Sequence, residues 1–135
     1  MTQRSKTLTG LVAAIVILLV LAGCGAQSSL SPGTYTTSIT REDSTDYLFI
    51  GDWELTLTDE NGYTVSKDGT LDEEGTYTLT EDQMVFVRTM GRHVCSEGGV
   101  YQWALDGKTL TLTQVDDECY LRPFTFTTHP WSLKD

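Results

Sequence analysis

The 135-residue chain has few basic residues and little proline: nine Lys and Arg and three Pro. Its 19 Asp and Glu give it a formal charge of −10. Because the phosphate backbone of a nucleic acid requires a basic face, this charge excludes a nucleic-acid partner. The low Pro content, an ordinary Gly content and 39% hydrophobic residues exclude a collagen-like or disordered chain. The length predicts one domain.

The sequence also lacks the motifs of common catalytic and cofactor sites. It has no Ser–His–Asp order, no Gly-rich phosphate loop and no closely spaced Cys pairs. The acidic runs Asp72-Glu73-Glu74 and Asp116-Asp117-Glu118 do not have the spacing of a calcium loop, and we predict that they are solvated turns. We therefore predict a protein that is not an enzyme and holds no cofactor or metal.

Long apolar runs are absent except at Leu11–Leu21, which is too short to span a bilayer comfortably and has the length of a signal-peptide core. Arg4 and Lys6 precede it, and Leu21-Ala22-Gly23-Cys24 ends it. These features resemble the lipobox of bacterial lipoproteins. The resemblance implies that residues 1–23 are a lipoprotein signal peptide and that Cys24 is lipidated.

The small polar residues that follow Cys24 predict a flexible tether over residues 24–32, before a folded domain over residues 33–135. Cleavage would remove two basic residues and leave seven against 19 acidic ones, a charge of −12. We expect a monomer anchored by its lipid to the bacterial cell membrane and facing outside the cytoplasm.

From Thr34 onward, short runs of alternating apolar and polar residues are separated by turn residues, which predicts an all-β domain. For residues 41–50 the sequence does not decide between a short helix and a loop. Eight strands are predicted, at Thr34–Ile39, Trp53–Thr58, Tyr63–Ser66, Thr76–Thr80, Met84–Thr89, Val100–Leu105, Thr109–Thr113 and Pro123–Thr127.

The alternation places aromatic and aliphatic residues on one face of each strand and Thr on the other. Antiparallel strands with one apolar face form either two packed sheets or a closed barrel. Because closure removes exposed edges, we predict an eight-stranded antiparallel meander that closes into a small barrel.

Asp106-Gly107 is the strongest hairpin signal, since both central positions of a type I′ turn require positive φ. With these two residues as the loop, Trp103 faces Leu110 and Tyr101 faces Leu112. The same register brings Cys95 within one position of Cys119. In an exported protein this proximity predicts a Cys95–Cys119 disulfide.

Gly51-Asp52-Trp53 has the Gly-x-Trp pattern found near the start of lipocalin barrels. Together with Gly75-Thr76-Tyr77, Tyr101-Gln102-Trp103 and His129-Pro130-Trp131, it makes the chain similar to the lipocalin-like (calycin-type) domains of bacterial lipoproteins. The resemblance implies a barrel that holds one small hydrophobic ligand and has no enzymatic activity.

Two arginines are candidate inward cations. Arg122 shares parity with Phe124 and Phe126 on the predicted last strand, so we expect it to point inward. The resemblance implies that it stacks on Trp53 or holds a ligand carboxylate. We favour the alternative that it closes the barrel end as a structural residue. Arg88 points inward only if Met84 and Phe86 do, and is otherwise a solvated residue.

The leading functional prediction is a barrel that binds a small hydrophobic or amphipathic ligand. Its candidate contact residues are Trp53, Arg88, Tyr101, Trp103, Arg122, Phe124 and Phe126. This number of large rings is as compatible with a barrel interior filled by its own side chains as with a ligand cavity.

The alternative is an acidic protein-interaction module, such as an inhibitor of a basic envelope hydrolase. Membrane-bound lysozyme inhibitors are lipoproteins of similar size with barrel bodies, and a charge of −12 would steer a basic partner toward the protein.

Overall fold

A computed structural model describes residues 29–92 and 98–135 of the chain. These residues form a closed barrel in which eight antiparallel strands follow one another in sequence order. This confirms the predicted fold class. The strands are β1 Gly33–Ile39, β2 Gly51–Leu57, β3 Gly62–Lys67, β4 Thr70–Leu79, β5 Gln83–Gly91, β6 Gly99–Asp106, β7 Thr109–Asp116 and β8 Trp131–Leu133.

The predicted last strand, Pro123–Thr127, is wrong. Residues Leu121–Thr127 form a short helix, α1, and the strand that closes the barrel is the three-residue β8. Leu121, Phe126 and Thr125 are buried on one side of α1, so its apolar residues follow a helical spacing as well as the alternation read from the sequence. Five residues are too few to separate the two periods.

The β6–β7 hairpin is present, but its predicted register is wrong. Asp106 pairs with Thr109 and Trp103 with Leu112, so the loop consists of Gly107 and Lys108. Only Gly107 has positive φ there. The turn with positive φ at both central residues is Asp68-Gly69, between β3 and β4.

The two ends of the barrel differ. The short turns at 58–61, 80–82 and 107–108 lie at one end, which we call the turn end, where the chain also enters β1 at Gly33. The other end, which we call the helix end, carries loop 40–50 and α1. Loop 40–50 is a succession of turns and contains no helix, which settles the open alternative.

Large side chains fill the barrel interior in the part of the chain that the structure describes. Phe126 of α1 packs in the centre, with ring centroids 5.0 Å from Phe86, 5.4 Å from Tyr101 and 5.9 Å from Trp131. The largest side chains that are less than 2% exposed are Trp53, Trp131, Tyr35, Tyr63, Tyr101, Phe86 and Phe126. The predicted apolar inner face is therefore confirmed for β2, β5 and β6.

The packed domain begins before residue 33. Leu30, placed in the predicted tether, is buried against the core, and the carbonyl of Ser31 accepts a hydrogen bond of 2.7 Å from the Tyr35 hydroxyl. Within residues 29–92 and 98–135, no helix is both long enough and apolar enough to cross a membrane.

Candidate functional site

The helix end buries an ionic cluster centred on Arg122, which is 3% exposed. Its guanidinium donates two hydrogen bonds to Asp117, from Nε to Oδ2 at 2.6 Å and from Nη2 to Oδ1 at 3.0 Å. A third, from Nη1 to Glu73 Oε1, measures 3.0 Å. The planar fork of an arginine matches a carboxylate in this two-bond geometry, which fixes the orientation of all three side chains.

Two tyrosines complete what we call the Arg122 cluster. The Tyr63 hydroxyl donates to Glu73 Oε1, and the Tyr101 hydroxyl donates to Asp117 Oδ2. Burial, together with these hydrogen bonds to carboxylates, raises the pKa of both tyrosines well above the usual value. The two phenols therefore stay protonated and serve as hydrogen-bond donors rather than as bases.

The charge on Arg122 is itself secured by the cluster. Burial alone disfavours a charged guanidinium, but the hydrogen bond to Asp117 and the negative charges of Glu73 and Asp117 outweigh it. The pKa of Arg122 is consequently held above its ordinary value. The arrangement is a fixed structural ion cluster in which every formal charge has an opposite neighbour.

The backbone packs closely against the Asp117 side of the cluster. Asp117 follows β7 directly, and the amide of Cys119 donates to its Oδ1 at 2.9 Å. A Cβ atom at Gly99, the first residue of β6, would lie 2.2 Å from Asp117 Oδ2. Glycine is therefore the residue that lets this carboxylate approach the strand.

A small pocket adjoins the cluster, with a volume of about 10 Å³, which is room for one water molecule. Among its lining residues, Thr125 is 1% exposed, and its hydroxyl has no hydrogen-bond partner within residues 29–92 and 98–135. Thr127 and Thr128 lie on the same short segment, and each donates its hydroxyl to the carbonyl four residues earlier. Thr125 is thus the threonine of this segment whose hydroxyl is not satisfied by the backbone.

No protein-family model, curated protein or solved structure matches the chain. The resemblance to lipocalin-like lipoprotein domains therefore stays a prediction, and the function has to be argued from the structure.

Four of the seven candidate ligand-binding residues are brought together. The small pocket is lined by Trp53, Arg122 and Phe126. Tyr101 is linked to Arg122 because both donate hydrogen bonds to Asp117. Because Arg122 already has carboxylate partners within the protein, its place favours the structural role over the role of holding a ligand carboxylate.

The other three candidates lie apart from this pocket. Arg88 is half-buried on β5 and donates to the carbonyl of Gly91 at 3.2 Å. Trp103 is half-buried near the turn end, where its indole donates to the carbonyl of Thr80 at 3.0 Å. Phe124 packs on Phe49 with ring centroids 4.2 Å apart. The seven residues do not form one site.

Of the alternatives for Arg122, stacking on Trp53 is not seen among the described residues. The cation over the Trp53 ring is Lys67, whose Nζ lies 5.8 Å from the ring centroid. Lys67 also donates to the carbonyls of Tyr47 and Leu48, at 2.7 and 3.1 Å, and so ties loop 40–50 to the barrel. Arg122 is inward as predicted, but it is held there by α1 rather than by a strand.

The prediction that both acidic runs are solvated turns is wrong for Glu73 and Asp117, which are 7% and 8% exposed. Strand parity indicates the inward position of Glu73, since it lies an even number of residues from the inward Tyr77 on β4. The predicted strand starts at Thr76 and therefore does not include Glu73. For Asp117 no local pattern distinguishes it from Asp116 and Glu118, because its partner Arg122 lies on an element of the wrong predicted type.

The predicted modification sites fall mainly outside the described residues. Cys24 and Cys95 both lie there, so lipidation and the Cys95–Cys119 disulfide stay predictions. Cys119 itself is described and is 5% exposed, beside the Arg122 cluster.

Proposed function

We propose that the protein is a lipid-anchored, extracytoplasmic β-barrel that acts as a binding module and recognises a basic partner protein with its outer surface. Cys24 is the proposed site of lipidation, and the barrel is the body that the tether holds at the membrane. We propose no catalytic activity.

The observation that carries this proposal is the filled interior. In residues 29–92 and 98–135, the pocket that adjoins the core has room for one water molecule, whereas a small-molecule site occupies about 300–1,000 Å³. The larger spaces of about 220, 340 and 430 Å³ are open grooves on the outside of the barrel. A partner therefore meets the surface of the barrel.

Charge supports a basic partner. The chain carries 19 acidic and nine basic residues, and an excess of one sign raises the rate at which an oppositely charged protein is captured. Such steering is screened by salt with a Debye length of about 8 Å at physiological ionic strength.

The proposal is tested by binding to lysozyme, which serves as the probe because it is a basic hydrolase that acts on the cell envelope. The soluble domain Gly25–Asp135, which keeps every described residue, is immobilised and lysozyme binding is measured as salt is raised to about 0.3 M. We expect saturable binding that weakens with salt. Absence of binding at low salt would overturn the proposal.

The anchor is tested separately in the full chain. We expect Cys24→Ser to move the protein from the membrane fraction to the soluble fraction, because the thiol that would carry the lipid is gone. Retention of this variant in the membrane fraction would contradict anchoring through Cys24.

Binding of a small amphipathic molecule is the second candidate, and the apolar interior of the barrel is the observation in its favour. The pocket beside Thr125 has room for one water molecule, so such a ligand would have to displace core side chains to enter. The pocket combines an apolar wall from Trp53 and Phe126 with a buried unpaired hydroxyl. Native mass spectrometry of Gly25–Asp135 tests it: a co-purified molecule lost on gentle activation supports this candidate, and a clean apo mass speaks against it. The same spectrum reports the disulfide, because oxidation of Cys95 and Cys119 to a disulfide lowers the mass by two hydrogen atoms.

A further inference from the structure

The chain enters the barrel at the turn end. Gly33, the first residue of β1, pairs with Leu57, the last residue of β2. Leu30 is already packed against the core. A tether that starts at Cys24 therefore reaches the barrel at the turn end, and the helix end lies at the opposite pole of the molecule.

Exposed apolar side chains are concentrated at the helix end. Seven large hydrophobic residues are exposed among the described residues. Leu79 lies at the turn end and Val87 in the middle of β5. The other five belong to loop 40–50, the segment before α1 or the strand termini at the helix end: Tyr47, Leu71, Met90, Val115 and Tyr120.

Tyr47 and Tyr120 are the most exposed of these, at 76% and 70%. They lie on neighbouring segments, since the Tyr120 hydroxyl donates to Asp46 at 3.2 Å. The Tyr120 ring also rests on the buried Phe49, with centroids 5.4 Å apart. Tyr120 is thus held in place on a packed base, and exposed tyrosines are typical anchors of protein interfaces.

The surroundings of the two tyrosines are acidic. Loop 40–50 and residues 116–122 together contain six carboxylates and two arginines. Asp117 and Arg122 neutralise each other inside the barrel, and Asp43 is paired with His129 at 2.9 Å. On these two segments Glu42, Asp116 and Glu118 are exposed, against the exposed Arg41. The groove that Tyr47 lines adds two carboxylates and two cations, Asp68, Asp72, Lys67 and Arg92, so carboxylates still outnumber cations around the tyrosines. A partner with a positive face complements this surface.

We propose that the helix end is the docking surface for the basic partner protein, with Tyr47 and Tyr120 as its anchors. This rests on the proposed function and assigns it to one pole of the barrel. The tether at the other pole leaves this surface directed away from the membrane, where a protein of the envelope reaches it without passing the lipid headgroups.

Lysozyme binding by variants of Gly25–Asp135 tests the surface. Tyr47→Ala and Tyr120→Ala remove the anchors, and each is expected to raise Kd at least about tenfold. Tyr120→Phe keeps the ring and loses only the hydroxyl that bonds Asp46. Leu79→Ala removes an exposed apolar side chain at the turn end and serves as the matched control, with an expected change within about twofold.

The outcomes separate the two proposals. Weaker binding by both alanine variants, with Tyr120→Phe and Leu79→Ala close to the wild type, supports the docking surface. Equal binding by all variants overturns the docking surface and leaves the proposed function standing. Equal loss in Tyr120→Phe and Tyr120→Ala overturns the anchor role of the ring. Absence of wild-type binding overturns both proposals. Equal thermal unfolding of the variants shows that the changes are not caused by misfolding.

Discussion

Replacement of Arg122 by methionine tests the cluster at the helix end most severely. Methionine keeps the length and apolar stem but removes the two hydrogen bonds to Asp117 and the one to Glu73. The side chains of Arg122, Asp117 and Glu73 are 1%, 1% and 8% exposed, so solvent cannot replace the lost partner. Removing one member of such a buried pair costs about 3–5 kcal/mol.

Urea unfolding followed by the fluorescence of the buried Trp53 and Trp131 measures this loss. With a slope of about 1.3 kcal/mol per molar urea, a loss of about 4 kcal/mol lowers the midpoint by about 3 M. Lys108→Met removes an exposed cation from its pair with Asp135 and is the control; its midpoint should not change measurably. If Arg122→Met is too unstable to fold, Arg122→Lys keeps the charge, loses the two-bond fork, and should fall between it and the wild type.

A deficit below about 1 kcal/mol for Arg122→Met would refute the reasoning, because it would mean that the loss of the guanidinium does not leave Asp117 and Glu73 as uncompensated buried charges.

Three further predictions concern the same end of the barrel. Thr125→Val should raise the free energy of unfolding in urea by about 1 kcal/mol, because it replaces an unpaired buried hydroxyl with a methyl group; a loss would mean that the hydroxyl has a partner. Gly99→Ala should lower it by about 1–3 kcal/mol, because the added methyl collides with Asp117; an unchanged midpoint would contradict the close approach. Stability should fall as pH rises beyond about 10, since the pKa values of Tyr63 and Tyr101 are raised by burial and by their hydrogen bonds, and the folded state then holds more protons. Phenolate absorbance that reached its full value before unfolding would contradict this.

Regular alternation made most of the barrel predictable. Leu55 and Leu57 are buried, as the pattern required, and Met84 and Phe86 face inward on β5. The alternation is misleading where the same residues also fit a helical period. Phe124 and Phe126 alternate with polar residues, but they belong to a segment that tertiary packing makes a helix.

Turn chemistry was less informative than the strand pattern. The dipeptide Asp-Gly occurs at 68–69 and at 106–107, and only the first has positive φ at both residues. The second is displaced by one residue, because Asp106 pairs with Thr109 as part of the ladder. A local dipeptide cannot report the pairing partners that decide between these two registers.

The candidate site was predictable only in part for a related reason. Arg122 was predicted to point inward, yet its carboxylate partners were assigned to solvent. Glu73 lies 49 residues away from Arg122 in sequence, and this ion pair exists only after the barrel has closed. A buried charge that is paired across such a separation has no local sequence signature.

The three-residue β8 is the strand that closes the barrel. Strands β1 to β7 join consecutive hairpin neighbours, whereas β8 bridges the two outer strands, pairing Tyr35 with Leu133 and Leu110 with Trp131. The ring cannot close until residue 133 has been synthesised, and until then β1 and β7 are free edges open to pairing with another chain. Non-local contacts of this kind slow folding, because the entropy cost of closing the loop comes before the contacts can stabilise the closed form. The risk of aggregation therefore falls in the interval before the short strand Trp131–Leu133 arrives.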